Sequence, residues 1–365
     1  MRVLIVKVSS MGEIVHTLPA ITDAFRAKKG LIFDWVVEEE FTEIPAWHPA
    51  VDKVIPVALR RWRKNLWQSW LTGEFGEFKH ELQKEHYDLV IDAQGLIKSG
   101  FISRIAKGLT VGLSNHTVKE PLATLFYNVV YTVPWQQHAV ERIRDLFSRT
   151  FNYAFDYNHC DYGIDKGQIS KMRSESETKY LVFLPGTSWE TKKWPEIYWV
   201  RLARIANKKG YAIKVLCESR DEFSIAETIA SGSGKIDIVI KNSIAETAGI
   251  LQGAVAVVAV ESGMAHLAAA LEIPMVSIYG ASDFTLSGAY GKKQIQLKST
   301  LSCSPCMSRT CQYKGNAILD NNGKMAFEVT PPCFASNTPE TVWRELEELL
   351  MTGEGSMDSL FSTEF

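Results

Sequence analysis

Short apolar runs alternate with helix-period stretches through the first half of the chain. Val3 to Val8 reads as a buried strand, His16 to Lys28 as a helix, Ile32 to Val37 as a second strand and Leu89 to Asp92 as a third. The run Asp88 to Gln94 ends in Gly95 and passes into a predicted helix, Leu96 to Ala106, repeating the order of strand, turn and helix. Such alternation predicts a parallel sheet covered by helices, with functional groups at the strand ends.

A second set follows the polar stretch Asp165 to Lys179. Strands are expected at Tyr180 to Leu184, Ala212 to Leu216, Ile236 to Ile240, Ala254 to Val260 and Met275 to Tyr279, with a helix at Ile197 to Lys209. The fold class is therefore α/β, with two doubly wound, Rossmann-like domains whose carboxyl strand ends are expected to face a central cleft. We place the domains at 1–170 and 175–335, the second interrupted by a cysteine-bearing insertion at 301–335. A terminal helix opened by Thr338 is expected at 338–352, and a loose tail at 353–365. Neither half contains the glycine fingerprint of a dinucleotide site or a P-loop, which disfavours a dehydrogenase or a P-loop enzyme.

Composition narrows the class. With 365 residues, 46% hydrophobic and 22% charged, the chain suits a folded two-domain enzyme. A formal charge of −2 supplies no overall field for nucleic acid, so no nucleic-acid partner is expected and an anionic ligand must meet a local basic patch. The apolar runs are too short to span a membrane, and the N-terminus lacks a signal-peptide cleavage site, so a cytoplasmic location is expected. There the six cysteines would be reduced, which turns attention to metal binding where they cluster.

Three segments carry candidate chemistry. Glu13 follows the first strand at a predicted helix start, where it is either a first-turn carboxylate favoured by the helix dipole or a base at the mouth of the cleft. Glu261, Ser262, Gly263 and His266 lie between a strand and a helix, an arrangement that serves either as a simple cap or as a diphosphate site on free amides. Thr187, Ser188, Lys192 and Lys193 follow the first strand of the second set, as solvated surface groups or as phosphate ligands.

These segments, in this order, resemble the heptosyltransferase family of lipopolysaccharide inner-core assembly. The similarity covers most of the chain: V-K-V-S-S-M-G-E-I-V-H-T-L-P-A at Val6 to Ala20, F-D-W-V-V-E-E at Phe33 to Glu39, R-R-W-R-K at Arg60 to Lys64 and I-D-A-Q-G-L at Ile91 to Leu96. It continues with E-P-L-A-T-L-F-Y-N at Glu120 to Asn128, Q-Q-H-A-V-E-R at Gln136 to Arg142 and E-S-G-M-A-H-L-A-A-A-L at Glu261 to Leu271. Members that add the first heptose are closer than those that add the second. The resemblance implies a GT-B fold with an N-terminal acceptor domain and a C-terminal nucleotide-sugar domain. It implies metal-independent, inverting transfer of L-glycero-D-manno-heptose from ADP-heptose to the Kdo region of lipid A, at the cytoplasmic face of the inner membrane. Glu13 falls on the general base, with Lys192 assisting departure of ADP. Thr187, Ser188 and Lys192 fall on donor-phosphate positions, Glu222 on a ribose contact, and Glu261, Ser262, Gly263 and His266 on heptose and diphosphate contacts. Ser10, Gly12, Arg60, Arg61, Arg63 and Lys64 fall on the acceptor side.

Two departures matter, because the family carries Asp where this chain has Glu13 and Glu261. One methylene moves a carboxylate by about 1.5 Å, and roughly 1 Å of misplacement can cost about a hundredfold in rate. A nucleotide-sugar-binding protein with impaired catalysis is therefore a rival reading, and transfer of heptose to protein is another. Around Arg60 to Lys64 the apolar residues Trp62, Leu66, Trp67 and Trp70 keep near-helical spacing, which suits either an anionic glycolipid and peripheral membrane contact or an ordinary amphipathic helix. Cys303, Cys306 and Cys311 form C-x2-C-x4-C, and Cys333 follows 21 residues later; a structural zinc or iron and free thiols both remain open.

Overall fold

The computed structural model describes residues 1–64, 72–171, 178–232, 234–240, 243–313 and 329–352. Contacts divide the chain into two units, Met1–Lys166 and Gly167–Phe365. The first holds a six-stranded sheet of β1 (Arg2–Val6), β2 (Ile32–Glu38), β3 (Val51–Val57), β4 (His86–Asp92), β5 (Lys107–Leu113) and β6 (Val129–Tyr131). Every pairing is parallel, in the order β3-β2-β1-β4-β5-β6.

The second unit repeats this plan with β7 (Tyr180–Leu184), β8 (Ala212–Cys217), β9 (Ile236–Ile240), β10 (Ala256–Val260), β11 (Met275–Tyr279) and β12 (Gln294–Lys298). Its order, β9-β8-β7-β10-β11-β12, is the same doubly wound sequence started anew. In each sheet the first strand pairs with the fourth, so the connections depart in opposite directions from that seam.

Helices cover both faces, which is why the central strands are apolar without alternation. Leu4, Val6, Val36 and Val90 belong to one core, and Leu181, Phe183, Val258 and Ile278 to the other. Trp199 from helix Glu196–Lys208 packs on Phe183 with ring centroids 5.2 Å apart. Helix Pro339–Thr352 closes the second core with Val342, Trp343 and Leu346, and Thr338 caps it by accepting the Thr341 amide at 3.3 Å. No helix among the described residues is long and apolar enough to cross a membrane.

The apolar pattern missed four strands. Edge strand β3 carries Asp52, Lys53 and Pro56, and edges tolerate both charge and proline. Strands β6 and β12 are also edges, whereas β5 is interior but holds Gly108 and Gly112. The helix expected at His16 to Lys28 is instead two, Met11–Val15 and Leu18–Ala27, the second admitting Pro19 in its first turn, where its missing amide costs no helix bond.

Gly112 links core to site. A Cβ there would stand 2.4 Å from the Tyr127 ring, and the Tyr127 hydroxyl donates to Asp92 Oδ2 at 2.6 Å. Gly112→Ala is expected to displace that ring and destabilise the first unit by about 1–3 kcal/mol, read as a lower urea midpoint. Tyr127→Phe, which keeps the ring and removes one hydrogen bond to a charged group, is expected to cost about 1.5–3 kcal/mol. An unchanged midpoint for both variants would remove Tyr127 from the scaffold of Asp92.

Candidate active site

In the first unit, chemistry gathers where β1 and β4 end side by side. Lys7 follows β1 directly; it is buried, and its ammonium donates to the Ala93 carbonyl at 2.8 Å. Glu13 stands in the first turn of helix Met11–Val15. The Lys7 Nζ lies 3.2 Å from Glu13 Oε2, and Lys119 pairs with Oε1. The carboxylate is thus held between two ammonium ions, with 31% of its side chain still exposed, enough for a ligand to reach it. Oε2 has no hydrogen-bond donor aligned on it. Burial would push the Glu13 carboxyl up, but Lys7 and Lys119 outweigh it and hold the group at about 2. Burial also pulls Lys7 below the ordinary lysine range, opposed by Glu13.

The strand ends are tied together by the 91–96 motif. Asp92 is fully buried and accepts the amides of Gln94 and Gly95 at 2.9 and 3.0 Å and the Ser99 hydroxyl at 2.8 Å. Gln94 accepts the Val8 amide and donates to the Ser9 carbonyl, fastening the segment that leads to Ser10, Gly12 and Glu13. Gly95 has φ +72°, and a Cβ there would meet Val118 at 2.7 Å, so glycine is required twice over. This close approach brings the Lys119 loop to the β4 end, where the Glu120 amide donates to the Gly95 carbonyl at 3.1 Å. Arg142 braces the same loop by donating to the Thr117 carbonyl at 2.7 Å while its guanidinium lies 3.9 Å over the Trp135 ring.

Sequence reasoning missed Lys7, Lys119 and Arg142. Lys7 did leave a signal, as a lone charge in an otherwise apolar run.

The second unit repeats the arrangement at its own seam, between β7 and β10. The loop after β7 carries half-buried Thr187, exposed Ser188 and then Lys192; Glu261 follows β10. Lys192 Nζ lies 2.9 Å from Glu261 Oε1, each side chain only 14% exposed, and 4.2 Å over the Trp189 ring. The Ser282 hydroxyl, just beyond β11, donates to Glu261 Oε2. Ser262 caps helix Gly263–Ala270 by accepting the Ala265 amide at 3.3 Å, so its capping reading holds. The amides of Gly263 and Met264 meet no acceptor among the described residues, so an anion site at this helix start is also available. His266, within that helix, is buried. Glu222 packs against Gly186, where a Cβ would meet its carboxyl at 2.4 Å, and accepts the Glu218 amide at 2.6 Å. Lys192, Glu261, Ser262 and Gly263 are thus brought together, with Glu222 beside the Thr187 loop.

The basic patch differs from expectation. Arg61 spans Glu39 and Glu74, with its nearest approach to Glu74 at 2.7 Å, while Arg60 pairs with Glu40 and lies 5.1 Å over Phe41. Trp62 is buried and donates to Glu74 at 2.7 Å. Two of the four cations therefore neutralise local carboxylates, leaving Arg63 and Lys64 without an ion pair among the described residues. Leu66, Trp67 and Trp70 lie outside the described residues. All four clustered cysteines are free thiols, and no set of three metal-ligand side chains is assembled among the described residues.

Two doubly wound sheets, each with charged groups at its central seam and one with an anion-ready helix start, define the GT-B class of glycosyltransferase. The family model for glycosyltransferase family 9 (heptosyltransferase) matches residues 75–317. Lipopolysaccharide heptosyltransferase 1 of Pseudomonas aeruginosa is 45% identical over 97% of this chain and 99% of its own length. The solved structure of Escherichia coli heptosyltransferase WaaC with ADP superposes with a TM-score of 0.77 at 44% identity, covering 81% of this chain and 93% of that one. The same enzyme with ADP-2-deoxy-2-fluoro heptose gives 0.75 at 43% identity, over 82% and 93%. The chain belongs to glycosyltransferase family 9, the heptosyltransferases, and is a glycosyltransferase.

The Glu13 clamp has a pH signature. A carboxyl held at about 2 in the folded state, against an ordinary 4.5, contributes stability that is full above about pH 4.5 and lost as pH falls towards 2. Glu13→Gln is expected to flatten the acid limb of melting temperature against pH in that window. Superimposable limbs would show that the two lysines do not favour the charged form.

Proposed function

We propose that this protein transfers L-glycero-D-manno-heptose from ADP-heptose to the Kdo region of lipid A, in the inner core of lipopolysaccharide. The observation that carries the reading is the Glu13 carboxylate, charged and partly exposed as a side chain, with its Oε1 on the half-exposed Lys119 and its Oε2 buried beside Lys7 without an aligned donor. The relatives add support: the similar Pseudomonas aeruginosa protein is a lipopolysaccharide heptosyltransferase 1, and the similar Escherichia coli enzyme is solved with ADP and with an ADP-heptose analogue.

In this reading Glu13 accepts the proton of the acceptor hydroxyl as its oxygen attacks the anomeric carbon, and ADP leaves from the opposite face with inversion. Thr187, Ser188, Lys192 and the helix start at Ser262 and Gly263 receive the diphosphate; Glu222 meets the ribose, and Glu261 and His266 the heptose. Lys192 exchanges part of its pairing with Glu261 for the departing phosphate charge, the largest electrostatic contribution. This chemistry needs no catalytic metal, so any ion at Cys303, Cys306, Cys311 and Cys333 is structural.

The clamp that steadies Glu13 also weakens it as a base, because efficient proton transfer wants a pKa nearer the working pH. An anionic acceptor relieves this conflict by drawing the partly exposed Lys119 to itself, which lets Glu13 rise towards its ordinary range. Meanwhile the two ammonium ions take up the longer reach of a glutamate. Ser10 and Gly12 flank the base on the acceptor side. Arg63 and Lys64, with Arg60 and Arg61 exchanging partners, meet acceptor carboxylates and phosphates and hold the protein peripherally on the cytoplasmic face of the inner membrane.

The test is ADP release from ADP-heptose with and without Kdo-lipid A. Release that requires this acceptor is expected; tight donor binding without release would favour a binding protein, and release with a protein acceptor alone would redirect the reading. Glu13→Ala is expected to abolish transfer with ADP affinity nearly intact, since a base acts in the transition state. Parallel loss of ADP binding in calorimetry would remove Glu13 from that role. For Lys192→Ala, kcat/KM is expected to fall by about 100–1,000-fold, and a change under threefold would exclude it from leaving-group stabilisation.

A further inference from the structure

The cysteine loop is fastened to the donor-side residues from behind. Ser304 donates its hydroxyl to the Gly280 carbonyl at 2.6 Å, and the Met307 amide donates to the Ala281 carbonyl at 2.8 Å. From the other side the buried Thr191 hydroxyl donates to the Ser308 carbonyl at 2.6 Å. These anchors adjoin the two groups that hold Glu261: Thr191 precedes Lys192, and Ala281 precedes Ser282.

Cys303, Cys306, Cys311 and Cys333 all line one small cavity, together with Gly280 and Thr191. Cys333 is buried in the short turn Pro332–Phe334, with its sulfur 2.8 Å from where a Gly280 Cβ would be. The other three thiols are exposed. Apolar packing explains a buried cysteine but not three exposed ones that line the same cavity as a fourth. The x2 and x4 spacings are those of chains that bring thiolates onto one ion.

We propose that these four cysteines bind one thiolate-preferring divalent ion, zinc or ferrous iron, as a structural site that locks the loop behind Thr191–Lys192 and Ala281–Ser282. No three of the sulfurs are yet drawn together. The site closes on its ion: Cys333 stays fixed in the core turn, and the exposed side chains of the 303–311 loop move in to a metal–sulfur distance of about 2.3 Å. Each thiol surrenders its proton on binding, so affinity falls as pH drops. The proposal stands independently of the sugar and acceptor assigned above.

Elemental analysis of the full chain, purified under reducing conditions, distinguishes the two ions and is expected to find one per chain. Cys306→Ser, at an exposed position that folding tolerates, is expected to lose it, whereas Cys160→Ser retains it. The chelated protein is expected to melt at a lower temperature, to recover with zinc or ferrous ion, and to bind ADP several-fold more weakly in calorimetry. Failure of the chelated, reduced protein to take up either ion, or full retention by Cys306→Ser, would overturn the site. Metal uptake with unchanged melting and ADP affinity would overturn the locking role.

Discussion

The positions of Glu13, Lys192 and Glu261 depend on the seam where a doubly wound parallel sheet reverses direction. Strand β1 with β4, and again β7 with β10, form the point where the strand order reverses, which in doubly wound folds is where ligand crevices lie. Side chains placed just beyond those strands are close in space and only partly covered. Glu13 and the Gln94 turn meet at the first seam, Lys192 and Glu261 at the second.

At both seams a glutamate is paired with lysine, largely covered at Glu261 and partly exposed at Glu13. Glu13 has Lys7 and Lys119; Glu261 has Lys192 and the Ser282 hydroxyl. Low exposure strengthens the pairings of Lys7 with Glu13 and of Lys192 with Glu261 and makes it costly to leave a partner alone. Each ion pair thus holds its glutamate in a fixed position within its own unit. In the proposed reading, an anion that engages Lys119 frees Glu13, and one that engages Lys192 frees Glu261.

Much of the remaining polar sequence is scaffold. Asp34 accepts from Arg2 at 2.9 Å and from the Tyr87 hydroxyl at 3.0 Å; Glu38 accepts the Arg60 amide at 2.9 Å; Arg144 binds Asp23 at 2.6 Å while almost completely buried. Buried charges of this kind are tolerable only when paired and hydrogen-bonded. Arg60 and Arg61 are exposed but likewise paired, which tempers a reading of their patch as four cations awaiting a ligand.

The α/β class, both sheets and the positions of Glu13, Lys192 and Glu261 at strand ends were legible in the sequence, because strands buried on both faces must be apolar throughout and the groups that follow them stand out. Edge strands β3, β6 and β12 and the glycine-bearing β5 were not, since an edge tolerates polar residues and glycine carries no hydrophobic signal. Tertiary structure alone decided which charges meet. Lys119 reaches Glu13 across 106 positions because Gly95 admits Val118, and Arg61 turns to Glu39 and Glu74 because three elements converge there. Local pattern records whether a residue prefers water or core; which opposite charge it finds is set by how the sheets bring distant segments together.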